Sequence, residues 1–232
     1  MIAVIDYGVG NLFSLKSSLS AIGQEAVVTR DQEELDRADH ILLPGVGAFG
    51  DAVEKLRSTG MDRAVLRQAA AGKPLLGICL GMQLLFDKSF EYGEHPGLGL
   101  VPGQVVDLRR DLTDKTLKVP HMGWNSLQIL KDDPLFRHVR DGEYVYYVHS
   151  FYARDCAAGT LAASRYGNVD VTGVVRRETS TAPSSTRRNP GARDCGCCGP
   201  LQNCEGGCHE TYETTGQGRH GSGEDPGGHQ RM

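Results

Sequence analysis

Short β-branched runs alternate with helical patterns along the first third of the chain, and that alternation restricts the fold more than any other feature. Residues 2–5, 26–28, 41–43 and 75–78 read as strands, while residues 12–22, 49–57 and 61–71 carry apolar side chains at helical spacing. Strand, helix and strand joined by short connections imply a largely parallel sheet covered on both faces. From Gly99 the pattern changes to strand-like pieces with turns, at 103–108, 125–130, 144–148, 161–164 and 169–175. These predict a mixed or antiparallel second portion laid against the first.

The strand at 75–78 runs directly into Gly77-Ile78-Cys79-Leu80-Gly81-Met82-Gln83. A buried strand that stops at Gly-x-Cys-x-Gly and restarts as a helix displays one thiol on a sharp turn, as a cysteine nucleophile requires. Gly77 and Gly81 give room for a strained backbone and for a substrate. A helix beginning near Gly81 aims its unpaired N–H groups at the sulfur, favouring thiolate and stabilising an oxyanion on a carbonyl substrate. The plainer alternative is a buried structural cysteine between two glycines.

Composition bounds the function classes. The 232 residues, 39% of them hydrophobic, suffice for a core in one α/β domain or two small ones. A net charge of −4 and a pI near 6.1 give no electrostatic case for nucleic acid or an anionic membrane. The start, Met1-Ile2-Ala3-Val4-Ile5-Asp6, has no basic segment and meets a charge at once, so it reads as a first strand rather than a signal peptide. No apolar run approaches the roughly 20 residues of a transmembrane helix. The expected location is the cytoplasm, with thiols reduced.

After Arg177 the character breaks. Residues 178–232 contain one Leu and no Val, Ile, Phe or Trp, while Gly, Ser, Thr and Pro abound. Such a segment cannot bury enough apolar surface to offset its ordering entropy, which predicts disorder beyond a 1–177 domain. Five of the seven cysteines, Cys195, Cys197, Cys198, Cys204 and Cys208, fall here, followed by His209. A zinc site is one reading of that cluster, but the spacing matches no paired Cys-x-x-Cys framework, and the expectation is no metal and no cofactor.

Five ordered motifs carry a resemblance. Asp6-Tyr7-Gly8-Val9-Gly10-Asn11-Leu12, Leu43-Pro44-Gly45-Val46-Gly47-Ala48-Phe49-Gly50, the Cys79 turn, Pro120-His121-Met122-Gly123-Trp124-Asn125 and Tyr147-Val148-His149-Ser150-Phe151-Tyr152 span three quarters of the chain. Together they resemble the glutaminase subunits of imidazole glycerol phosphate synthase, within the class I (triad) glutamine amidotransferases. The resemblance implies a flavodoxin-like mixed α/β sheet flanked by helices, with additional antiparallel strands. It also implies that Cys79 attacks the side-chain amide of glutamine, and that released ammonia passes to a (β/α)₈-barrel cyclase partner in a heterodimer serving histidine biosynthesis.

Individual motifs have a physical reading beside the implied one. Gly8-Val9-Gly10-Asn11 lacks the third glycine of a dinucleotide fingerprint, so a tight turn with Asn11 near a helix N-cap competes with an anion-binding loop. The resemblance places Asn11 at the subunit interface, together with His121, Trp124 and Asn125. Gly45, Val46 and Gly47 could form only a turn; the resemblance makes them the oxyanion-hole backbone, with Val46 and the N–H of Leu80 as donors and Gly45 and Gly47 lining the substrate. Gln83 could be solvated and His149 could be a satisfied structural histidine. By resemblance both hold glutamine, with Ser150 and Phe151.

The resemblance also requires a histidine to act as acid and base and a glutamate to orient it, in a His-Pro-Glu motif near the C-terminus. No His-Pro-Glu occurs anywhere in this sequence. Reading the tail one base out of register recovers it. If each codon takes the third base of one present codon and the first two of the next, starting from Arg177, residues 178–191 decode as Gly-Asn-Val-Tyr-Gly-Thr-Gln-Phe-His-Pro-Glu-Lys-Ser-Gly. Leucine codons ending in TG and arginine codons ending in GG would likewise turn a Leu/Arg-rich final helix into the Cys/Gly tract. The sequence therefore suggests loss of one base near Arg177, and two readings remain open: an amidotransferase with a damaged tail, or a catalytically silent partner that docks to the cyclase. His209, His220 and His229 lie in a segment without a core to position them.

Overall fold

The computed structural model describes residues 1–177. The tail at 178–232, with its expected disorder, its cysteine cluster and its three histidines, lies outside the described residues.

The first half is a parallel sheet between helices. Its elements are β1 (Ile2–Ile5), α1 (Leu12–Ala21), β2 (Ala26–Thr29), α2 (Gln32–Arg37), β3 (His40–Leu43), α3 (Phe49–Ser58), α4 (Met61–Ala70) and β4 (Leu75–Gly77). The strand order is β2-β1-β3-β4, all parallel, with Ile2 opposite both Ala26 and His40 and Leu43 opposite Gly77. All four residues of β1 are buried, because alternate side chains enter different cores. Ala3 and Ile5 pack with Leu35, Phe49, Val53, Leu56 and Met61, whereas Ile2 and Val4 pack with Leu19 and Leu42. Asn11 caps α1, its side-chain oxygen accepting from the Ser14 N–H at 3.2 Å.

Beyond β4 the chain makes α5 (Leu80–Gln83), β5 (Phe86–Ser89), β6 (His95–Pro96), β7 (Val101–Asp107) and α6 (Leu108–Asp111). Then come β8 (His121–Ser126), β9 (Gln128–Ile129), β10 (Tyr144–His149), β11 (Phe151–Arg154), β12 (Thr160–Tyr166) and β13 (Val169–Val175). They form a mixed sheet β11-β7-β5-β6, an antiparallel ribbon β10-β8 and an antiparallel sheet β13-β12-β9. The mixed second portion predicted from the sequence is present.

Two features differ from the sequence reading. The helix after Cys79 is a single turn, because Leu84, Leu85 and Phe86 are all fully buried and three successive helical residues cannot all face one core. Helix α2 went unanticipated, since it is six residues long and buries only Leu35.

Candidate active site

Cys79 sits at φ 54°, ψ −117°, a conformation costly for any residue with a Cβ and characteristic of strained functional turns. Its thiol is exposed. The turn is held by glycines packed against one another: a Cβ on Gly77 would come within 2.6 Å of the Gly81 carbonyl oxygen, and one on Gly45 within 2.7 Å of the Gly81 nitrogen. The 45–47 loop therefore lies directly over the start of α5, beside Leu80. Because α5 has one turn, its macrodipole is small, and what it offers an anion is local N–H groups rather than a long-range field.

Tyr7, which the sequence reading quoted only within a motif, supports this junction from below. Its buried hydroxyl donates to the Pro44 carbonyl at 2.7 Å, and burial, then the charge at Cys79, push the phenol well above its usual range. Glu91 ties the other side, its carboxylate accepting from the Phe49 N–H at 2.7 Å, just past the 45–47 loop. Neither residue lies in a pattern that sequence alone marks as special. Val46 is 46% exposed, and Gly47 takes φ 92° with open space where a Cβ would stand.

The structure brings Gln83, His149 and Phe151 together. The Gln83 side-chain amide donates to the Phe151 carbonyl at 3.2 Å, and His149 Nδ1 lies 3.0 Å from the same oxygen. His149 Nε2 is 3.0 Å from His121 Nδ1, so both nitrogens of His149 face protein partners. Ser150, between β10 and β11, accepts from the Leu108 N–H at 2.9 Å through its carbonyl. The Phe151 ring meets Tyr92 edge-on at 6.1 Å.

Burial and then the neighbouring His121 lower the His149 pKa from 6.5 to about 4. A histidine whose folded value lies below its unfolded value contributes stability above the unfolded value, and this is lost as pH falls through the window from 6.5 to about 4. His121 shifts in the same direction through burial. Unfolding midpoints measured between pH 7 and pH 4 should therefore fall, and His149→Gln should flatten the slope; an unchanged slope in that variant would contradict the assignment.

Strand pairing sorts the predicted interface residues. In the β8–β10 ribbon Met122 opposes Val148 and Trp124 opposes Tyr146. Met122, Trp124 and Val148 are 62%, 59% and 48% exposed, whereas His121, on the alternate face, is 4% exposed. Trp124 is at the surface, whereas His121 and Asn125 point inward, with Asn125 donating to the Arg165 carbonyl at 2.9 Å. Asn11 is exposed beside the same end of the parallel sheet as Cys79.

Among the described residues no cluster of three or more His, Cys, Asp or Glu is placed to hold a metal ion, and no helix is long and apolar enough to cross a membrane. Residues 3–181 match the family model of class-I glutamine amidotransferases. The chain belongs to that family. It is 50% identical over 153 residues to the imidazole glycerol phosphate synthase subunit HisH of Sulfurimonas denitrificans, covering 66% of this chain and 73% of that protein. With HisH of Bacillus velezensis it shares 48% identity over 176 residues, 75% of this chain and 82% of the relative. A solved structure described as a glutamine amidotransferase superposes with a TM-score of 0.55 at 19% identity, over 74% of this chain and 88% of that one, which shows the same fold. A likeness of TM-score 0.50 at 21% identity extends to PurLQS of Thermotoga maritima, over 74% of this chain and 76% of that one.

Proposed function

We propose that this chain is the glutamine amidotransferase subunit of an imidazole glycerol phosphate synthase, built to hydrolyse glutamine to glutamate and ammonia for a (β/α)₈-barrel cyclase. The observation that carries the reading is the exposed Cys79 thiol on a strained turn whose next residues, Leu80 and Gly81, pack against Gly45, with Gln83 one turn further on. The thiolate attacks the glutamine amide carbon. The N–H groups of Val46 and Leu80 stabilise the oxyanion, ammonia leaves with a proton, and water cleaves the thioester to glutamate. Gly45, Gly47, Gln83, Ser150 and Phe151 line the amino-acid site, His149 supports it from behind, and the exposed Met122–Trp124 face with Asn11 meets the cyclase.

The missing His-Pro-Glu supports a lost base near Arg177. The written chain thus keeps nucleophile and docking face while lacking base and orienter, and this observation favours docking without turnover as its present state. Resequencing across the Arg177 codon decides whether the frame is broken.

Mixing the chain with the cyclase and assaying glutamine hydrolysis tests both readings. A glutamine-derived chloroketone should alkylate Cys79, L-glutamine should protect it, and Cys79→Ala should abolish both labelling and any turnover. Labelling indifferent to glutamine would refute the substrate assignment. Trp124→Ala should weaken cyclase association by about 2 kcal/mol, the scale of an aromatic anchor at an interface, measured by calorimetry.

A further inference from the structure

The hydrogen bonds around His121 and His149 admit one arrangement of protons. The Phe151 carbonyl can only accept, so His149 Nδ1, 3.0 Å away, carries a hydrogen. A neutral His149 then has a bare Nε2, and His121 Nδ1, 3.0 Å from it, must donate. That leaves His121 Nε2 bare, and the Asn125 amide nitrogen stands 3.4 Å from it. The same nitrogen donates to the Arg165 carbonyl at 2.9 Å, while the Asn125 oxygen accepts from the Ser126 N–H, which fixes the amide orientation. The chain of donors thus runs one way, from Asn125 through His121 and His149 to the Phe151 carbonyl, where Gln83 donates from the other side.

The His121 ring cannot turn to escape this arrangement. His121 is stacked between Tyr166 and Tyr147, at centroid distances of 4.0 and 4.8 Å, and Tyr147 is itself pinned by its hydroxyl donating to Ser164 Oγ at 2.9 Å. A second proton on either imidazole would set two donors against each other, and burial of both rings keeps them neutral.

We propose that His121 is a positioning residue: by donating to His149 it fixes the Phe151 carbonyl, and through that carbonyl the Gln83 amide at the rim of the glutamine site. This rests on the proposed function for the identity of the ligand but not for the proton arrangement. The geometry also makes the effect directional. His121 reaches the rim through His149, and it lies on the inward face of β8 beneath exposed Met122 and Trp124, so displacement of that strand is transmitted to the substrate rim.

The test is imidazole nitrogen NMR on the labelled chain at pH 7, followed by titration of the same samples with L-glutamine. Both histidines should be protonated at Nδ1 and bare at Nε2. His121→Phe keeps a ring in the stack but has no N–H to give. It should release the His149 tautomer, shift the Gln83 side-chain amide resonances and weaken glutamine binding roughly ten-fold, the scale of one net hydrogen bond. His121→Gln, which retains a donor, should recover most of that loss. An Nε2–H tautomer on either histidine of the unsubstituted chain, or a His121→Phe protein with unaltered Gln83 resonances and glutamine affinity, would overturn the proposal. If the unsubstituted chain ignores glutamine while the tautomers and the Gln83 shift appear, the functional reading fails and the relay stands. Should His121→Phe not fold, the tautomers and the His121→Gln comparison still decide.

Discussion

Inserting one base at the Arg177 codon should raise glutamine turnover, measured with the cyclase present, by roughly 10²–10⁴-fold over the chain as written, the usual worth of a positioned acid and base. The Cys79 sulfur is displayed either way, so the two proteins should be alkylated by a glutamine chloroketone to the same end point, with the restored chain reacting faster. The gain arises because a thiol must lose its proton to attack, ammonia must gain one to leave, and no residue of the written tail follows the His-Pro-Glu pattern that would do both. Cys79→Ala in the restored chain should return turnover to background. Equal turnover in the written and restored chains would show that neither the decoded histidine nor its glutamate matters, and with them the frame argument would fall.

The sequence made the parallel half readable because both its faces are covered. Ile2–Ile5 and Leu75–Gly77 are short continuous runs without a polar side chain, the first closed by Asp6 and the second opened by Pro74, which few other environments tolerate. The Cys79 turn was equally legible, since glycines on both sides of one thiol have few other uses, and the structure gives that residue its positive φ. What sequence left ambiguous were distances set by tertiary packing. Nothing in Leu84-Leu85-Phe86 announces that the helix stops after one turn, because a short apolar run reads alike as helix or strand. The period-2 alternation of His121-Met122-Gly123-Trp124-Asn125 does separate an inward face from an outward one. Treating the motif as one surface missed that His121 faces the interior, where its partner is His149, 28 residues away along the chain. Tyr7 and Glu91 were invisible for the same reason: their importance is the backbone atom each one holds.

Gly81→Ala should destabilise the fold by about 3 kcal/mol, the upper range for forcing extra volume into a packed core, and should also slow alkylation of Cys79. A Cβ at this position would lie 1.9 Å from the Leu43 carbonyl oxygen and 3.1 Å from the Pro44 carbonyl carbon, so backbone rather than a yielding side chain must move. That oxygen already accepts from the Ile78 N–H at 3.0 Å, the last bond holding β4 to β3 before the turn. Pushing it away loosens the strand that feeds Cys79 and the 45–47 loop that packs on Leu80 and Gly81 beside it, in one displacement. Gly23→Ala, away from the amino-acid site, is the matched control. Open space surrounds its missing Cβ, so the penalty there is the strain of φ 72°, about 1 kcal/mol, and β4 stays in place. Urea unfolding together with chloroketone labelling separates the two. A Gly81 variant that lost stability yet reacted at the original rate would mean that the close approach of β3 holds the sheet together but not the nucleophile, whereas loss of both ties the strained conformation of Cys79 to a contact only glycine can make.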